Sequence, residues 1–109
     1  MRVEALPWPD IESSLAQHGC ATTGPLLTPA ECAVLTSLYD RDGPFRSRVV
    51  MQRHGFGQGE YKYLAYPLPE ALAQWREAFY AKLAPPGNAW ARALGPAGEY
   101  PGGHAAYLA

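Results

Sequence analysis

Glycine and proline occur so often in this chain that irregular connections must take up much of its length. There are 11 of each among 109 residues, and both interrupt helices and strands. Hydrophobic residues nevertheless make up 48% and charged residues 17%, which is typical of a globular chain and not of a disordered one. A chain of this length can bury roughly two-thirds of its unfolded surface. We therefore expect one modest core in residues 1–109, as a single partial domain without an internal linker.

Two early helices are indicated by the residues at their ends. Asp10 is a suitable N-cap for the first, and Gly19 is placed to end it in a left-handed conformation. Residues 28–31 (Thr-Pro-Ala-Glu) supply the N-cap, the N1 proline and the N3 acid of a capping box for the second. Between the two helices, Cys20–Thr23 is predicted to form a short strand.

A third helix is predicted over residues 70–83 by an apolar stripe at spacings of three and four. The stripe consists of Leu72, Trp75, Phe79 and Leu83. Residues 85–87 (Pro-Pro-Gly) are expected to end this helix, and Asn88 to cap a shorter one. Residues 104–109 are typical of the first turns of a fifth helix. Because the sequence stops within this apolar stretch, we expect a truncated chain.

A hairpin is predicted between the second and third helices. Ser47–Met51 and Tyr61–Tyr66 are the two strands, and three glycines lie in the tip between them. The two-residue pleat places Tyr61 and Tyr63 on one face and Lys62 on the other. The tip lacks both the third glycine of a dinucleotide-binding loop and the Gly-Lys-Ser/Thr of a P-loop.

The net charge of −1 conceals a basic segment at residues 41–62. Five cations stand there against Asp42 and Glu60, for a local charge of +3: Arg41, Arg46, Arg48, Arg53 and Lys62. With aromatic residues interleaved, segment 41–66 is a candidate surface for nucleic acid or an acidic partner. The alternative is a solvated hairpin whose aromatic rings pack on their neighbours.

No catalytic residue and no metal ligand is predicted within the chain. Cys20 and Cys32 lie twelve positions apart without a Cys-x-x-Cys pair, so we expect reduced, core-packed thiols in a cytoplasmic protein. His18 and His54 have no ligand at the spacing of a zinc site. No serine has the context of a nucleophile, and no apolar stretch approaches the length of a transmembrane helix.

Residues 45–63 (Phe-Arg-Ser-Arg-Val-Val-Met-Gln-Arg-His-Gly-Phe-Gly-Gln-Gly-Glu-Tyr-Lys-Tyr) form a distinctive run. The pattern continues at residues 66–69 (Tyr-Pro-Leu-Pro), 83–85 (Leu-Ala-Pro) with 88–90 (Asn-Ala-Trp), 19–32 and 100–108. Together they resemble the N-terminal portion of a bacterial family of Fe(II)- and 2-oxoglutarate-dependent oxygenases, of the prolyl-hydroxylase-like kind. The resemblance spans essentially the whole chain.

The resemblance implies an α+β chain whose N-terminal helices and few strands flank a double-stranded β-helix, or jelly-roll, core. That core, largely missing here, would carry the iron-binding His-x-Asp…His triad and the basic residue for 2-oxoglutarate. The family positions of these residues lie beyond Ala109, and no histidine of this chain is followed two residues later by Asp or Glu. We therefore expect a dioxygenase (hydroxylase) fragment that binds neither cofactor alone and is inactive by itself.

By the same resemblance, the hairpin could edge the mouth of the barrel. Arg53 and Lys62 would then offer charge to a substrate, and Tyr61 and Tyr63 a stacking or hydrogen-bonding wall. We expect a small-molecule or protein substrate of unknown identity, no membrane and no nucleic acid; a second chain is a possible source of the barrel. The alternative is a non-catalytic binding module that uses segment 41–66.

Overall fold

The structure, a computed structural model, describes residues 2–95 and 98–109. Within them lie four helices, two strands and one short 3-10 helix: α1 (Trp8–His18), α2 (Pro29–Ser37), β1 (Phe45–Val50), the 3-10 helix (Met51–His54), β2 (Glu60–Leu64), α3 (Glu70–Leu94) and α4 (His104–Leu108). Helices with a small antiparallel sheet confirm the predicted α+β class. The chain divides into two compact units, Leu27–Pro69 and Met1–Leu26 with Glu70–Ala109. The jelly-roll core and the single partial domain stay predictions.

The helical unit is built around Trp8. Its indole Nε1 donates a hydrogen bond to the Val3 carbonyl at 2.8 Å, and its ring meets Phe79 edge to face at 6.1 Å. Val3, Trp8, Ile11 and Ala78 are the buried apolar residues of this core. Helix α1 begins at Trp8, so Asp10 lies in its first turn and the N-cap prediction is wrong. Gly19 ends α1 with a left-handed φ of 73°, as predicted.

Cysteine burial and the early strand are further corrections. Cys20–Thr23 is irregular, because no strand in the described part of the chain pairs with it. Both Cys20 and Cys32 are exposed thiols. Cys32 lies on α2, none of whose residues is buried, so the predicted core packing of the two cysteines is wrong.

Helix α3 continues through the proline pair that was expected to end it. Pro85 and Pro86 lie inside a helix of 25 residues, and Asn88 is a helical residue and not the cap of a new helix. Proline lacks the backbone N–H that an interior helical residue donates. Contacts from outside the helix therefore have to support its continuation.

Those contacts come from residues 99–101, which we call the strap. Ahead of the proline pair, the Tyr80 hydroxyl donates to the Pro101 carbonyl at 2.8 Å. Beyond it, Asn88 donates to the Tyr100 carbonyl at 3.1 Å and accepts from the Tyr100 N–H at 2.6 Å. Arg92 and Glu99 add an exposed ion pair at 2.7 Å. The strap thus bonds to both halves of the helix across the two prolines.

The predicted stripe of α3 lies only partly in the core. Trp75 and Phe79 pack against it, while Leu83 is 41% exposed. The buried residues of the helix are Ala78 and Ala84, whose small side chains allow close approach of the neighbouring chain.

The hairpin unit begins with the predicted capping box. The Thr28 hydroxyl accepts from the Glu31 N–H at 3.2 Å, and the Thr28 N–H donates to the Glu31 carboxylate at 2.9 Å. Strand β1 then pairs antiparallel with β2, which ends at Leu64 and not at Tyr66 as predicted. A register shift between Phe45 and Ser47 makes Arg46 the extra residue of a β-bulge.

We predict that Asn88→Ala frays the second half of α3. The substitution removes both hydrogen bonds to Tyr100, and each typically contributes about 1 kcal/mol to the free energy of unfolding. Urea unfolding should show a loss of about 1–2 kcal/mol, with faster amide exchange after the proline pair. Gln17→Ala, which removes one exposed side-chain bond to Ser13, is the control and should change stability little. Unaltered exchange at residues 89–94 would contradict the role of the strap.

Candidate functional site

The two faces of the hairpin carry different chemistry. Ser47 pairs with Tyr63 and Val49 with Tyr61 on one face, whereas Arg48 pairs with Lys62 on the other. We call the first the tyrosine face, formed by Arg46, Tyr61, Tyr63 and Tyr66. The second is the lysine face, formed by Tyr39, Phe45, Arg48, Glu60 and Lys62. The predicted separation of Lys62 from the two tyrosines by the pleat is confirmed.

The Lys62 ammonium is held by contacts on its own face. Its Nζ donates a hydrogen bond to the Tyr39 carbonyl and lies 4.2 Å from the centroid of the Tyr39 ring and 5.2 Å from that of Phe45. A cation against two aromatic rings is stabilised by their negative faces. Lys62 therefore fastens the hairpin to the residues that follow α2.

Glu60 completes this network. Its carboxylate accepts from the Tyr39 hydroxyl at 3.0 Å and pairs with the Arg48 Nε at 3.3 Å. Desolvation raises the pKa of the Tyr39 phenol, and the hydrogen bond and negative charge of Glu60 raise it further. The Arg48 guanidinium opposes this increase in pKa. The neutral phenol is thus the form that the lysine face favours.

The tyrosine face presents aromatic rings to solvent. Tyr61 and Tyr63 meet edge to face at 5.6 Å, with exposed fractions of 43% and 47%. The Arg46 guanidinium lies 5.6 Å from the Tyr63 ring centroid and 5.5 Å from that of the exposed Tyr66. Exposed rings beside a guanidinium form a surface on which a planar ligand can stack.

The structure brings together only two of the four predicted site residues. Tyr61 and Tyr63 share a face, Lys62 lies opposite, and Arg53 is exposed on the 3-10 helix near the tip. Their roles toward a substrate stay predictions. Arg46 and Tyr66 belong to the predicted segment 41–66 but not to the four predicted pocket residues, and both join the tyrosine face. The bulge that directs Arg46 toward the rings leaves no clear signal in the sequence.

An open depression of about 190 Å³ lies beside the bulge. It is lined by four basic residues, one acidic residue, a serine and a phenylalanine: Arg41, Arg46, Arg48, Lys62, Asp42, Ser47 and Phe45. We call it the basic depression. Arg46 belongs both to its lining and to the tyrosine face.

The residues that the structure describes contain no group of three or more His, Cys, Asp or Glu side chains that could hold a metal ion. They also contain no helix that is both long and apolar enough to cross a membrane. The resemblance implies Fe(II), but these residues contain no ligand set that matches it.

A comparison with protein families matches part of this chain. Residues 59–109, just under half of the chain, are similar to an oxygenase family, Oxygenase-NA, described as catalysing oxidative methylation of damaged DNA. The matched part includes strand β2 with Tyr61, Lys62 and Tyr63. No curated protein and no solved structure matches the chain significantly. The similarity supports the oxygenase resemblance at the level of the broad class.

We predict that Tyr39 ionises at a pH above its ordinary pKa near 10. Because its folded-state pKa is raised, the associated stability is present below pH 10 and is lost as the pH rises through the folded-state pKa. Carbon NMR of isotopically labelled tyrosine should show that the Tyr39 phenol ionises above that pH. Glu60→Gln should lower the Tyr39 pKa toward 10, and titration of Tyr39 at or below pH 10 in the unaltered protein would contradict the network.

Proposed function

We propose that this chain is the substrate-facing part of an Fe(II)- and 2-oxoglutarate-dependent oxygenase. The observation that carries the proposal is the similarity of residues 59–109 to an oxygenase family. The run at residues 45–63, which resembles the 2-oxoglutarate-dependent oxygenases, supports the finer assignment. In such an enzyme, O2 would be the oxidant, and bound Fe(II) with 2-oxoglutarate as co-substrate would activate it.

The iron ligands are proposed to come from outside the described residues. The described residues contain no group of three or more candidate metal ligands. They are therefore assigned no role in the iron chemistry. The chain's own contribution is to bind and orient the substrate. A further part of the same polypeptide or a second chain would supply the His-x-Asp…His triad.

The substrate we propose is a nucleic acid with unstacked bases. The matched family is described as acting on damaged DNA, and chemistry on a base requires that base to be outside the helical stack. Aromatic rings and arginine on the tyrosine face suit base stacking. This proposed substrate class replaces the sequence-based expectation of a small-molecule or protein substrate and no nucleic acid.

We predict that the purified chain alone does not turn over 2-oxoglutarate. With Fe(II), ascorbate and oxygen supplied, succinate formation should stay at the level of the protein-free control, because the described residues provide no iron site. Turnover that rises with protein concentration and stops on chelation of iron would contradict the proposal.

We also predict that the chain binds single-stranded DNA through the tyrosine face. Stacking contributes about 1–3 kcal/mol per base, so Tyr61→Ser and Tyr63→Ser should each weaken binding of an oligothymidine about fivefold or more in fluorescence anisotropy. Binding should also weaken as salt increases, because cations displace counterions from the phosphates.

Tyr107→Ser is the matched control for this experiment. Tyr107 is 51% exposed on α4, outside the hairpin unit, and its loss should leave DNA affinity unchanged in a folded protein. Equal losses for all three variants, or no binding at low salt, would remove DNA from the proposal.

A non-catalytic binding module is the second candidate function. It is favoured by the exposure of Tyr61, Tyr63 and Tyr66 on a basic hairpin, which allows binding without any catalytic group. The coding sequence after Ala109 and the neighbouring genes distinguish the two candidates. A continuing frame or an adjacent gene with His-x-Asp and a distal histidine supports the oxygenase, whereas their absence supports the module.

A cytoplasmic location is also part of the proposal. Cys20 and Cys32 are both unpaired, which suits a compartment that keeps thiols reduced.

A further inference from the structure

We propose that the basic depression of the hairpin unit is a binding site for a phosphate group. In the proposed function the tyrosine face binds the bases of a nucleic acid, and the depression would bind its phosphates. The role of the phosphate site in nucleic-acid binding therefore rests on the proposed function. The depression itself is defined by its lining and its charge, independently of any relative. It can therefore be tested without an oxygenase assay.

The charge of the lining favours an anion. Four cationic side chains stand against the single carboxylate of Asp42. Glu60, which is not part of the lining, neutralises some of the charge of Arg48 through its contact with Nε at 3.3 Å. A net positive charge remains after both carboxylates are counted. Such a concentration of one sign attracts and retains anions from solution.

The donors suited to direct contact are on Arg41 and Arg48. Arg41 is exposed and lines the depression. The Glu60 pair uses the Arg48 Nε, and a guanidinium carries five N–H donors arranged to match phosphate oxygens.

Lys62 acts on the depression mainly through its charge. Its ammonium already donates to the Tyr39 carbonyl and lies against two rings. Those contacts fix a positive charge in the wall without a flexible side chain having to be ordered when the anion binds.

The size of the depression fits a polyatomic anion. Its volume of about 190 Å³ leaves room for such an ion. It is open to solvent, so a phosphate attached to a larger molecule can enter. A lone inorganic phosphate and a phosphodiester therefore offer the same chemistry to this site.

Arg46 connects the depression to the tyrosine face. It lines the depression, and its guanidinium lies within 5.6 Å of the Tyr63 and Tyr66 ring centroids. A strand whose base stacks on those rings would bring an adjacent phosphate to the bulge. One nucleotide chain would thus contact both surfaces, with its bases on the rings and a phosphate in the depression.

The first arm of the test titrates the full chain with inorganic phosphate, at ionic strength kept constant with chloride. Amide shifts in nitrogen–proton NMR should saturate and should be largest at residues 41–48. Arg41→Gln and Arg48→Gln should each weaken phosphate binding about tenfold, as expected for loss of a charge-assisted hydrogen bond. Lys82→Gln removes one positive charge from α3 and should change the affinity less than about twofold.

The second arm repeats the titration with oligothymidine. Saturable phosphate binding at residues 41–48, with the same residues perturbed by the oligonucleotide, supports the site and its role in nucleic-acid binding. Phosphate binding without oligonucleotide binding keeps the site, identifies a small phosphate compound as its ligand and removes the nucleic-acid function.

Two results would overturn the inference. One is oligonucleotide binding without phosphate binding, which leaves the proposed function intact and removes the phosphate site. The other is a phosphate response that is non-saturating or equally weakened by Lys82→Gln, which shows general attraction to positive charge. Arg48→Gln also breaks the ion pair with Glu60, so its effect on phosphate affinity could come from a change in the hairpin. Weaker phosphate binding by Arg41→Gln would show that the lost contact with the anion is the cause.

Discussion

The Lys62 ammonium is held between the Tyr39 carbonyl and the rings of Tyr39 and Phe45, and this contact decides which side of the hairpin faces solvent. In a strand, neighbouring side chains point to opposite faces. Once Lys62 is fastened to the residues after α2, Tyr61 and Tyr63 have to lie on the open face. The candidate stacking surface is thus a consequence of a cation that takes no part in it. The Glu60 contacts with Tyr39 and Arg48 strengthen the same arrangement.

Local signals in the sequence predict much of this fold. The capping box at residues 28–31, the left-handed Gly19 and the alternation along β2 each depend on a few adjacent residues, and each is present in the structure. The division of the hairpin into a tyrosine side and a lysine side follows from the pleat alone. The tyrosine pair of the candidate site was therefore predictable, whereas its partner Arg46 depends on a bulge that is defined only by strand pairing.

The features that escaped prediction depend on residues distant in sequence. The proline pair in α3 is a strong local stop signal, but Asn88 and Tyr80 bond to the strap more than ten positions away. Cys20–Thr23 has the composition of a strand and lacks a neighbouring strand with which to pair. A pattern within one segment reports what that segment favours, and the tertiary contacts determine whether that preference is realised.

The strap also affects the order in which the two halves of α3 can fold. Residues up to the proline pair can fold as soon as the N-terminal core residues are available, because Trp75 and Phe79 pack against those residues. The remaining turns, ending at Leu94, form too short a helix to be stable in isolation. They leave the ribosome before residues 99–101, which hold them. We therefore expect the second half of α3 to become stable only once residues 99–101 are in place.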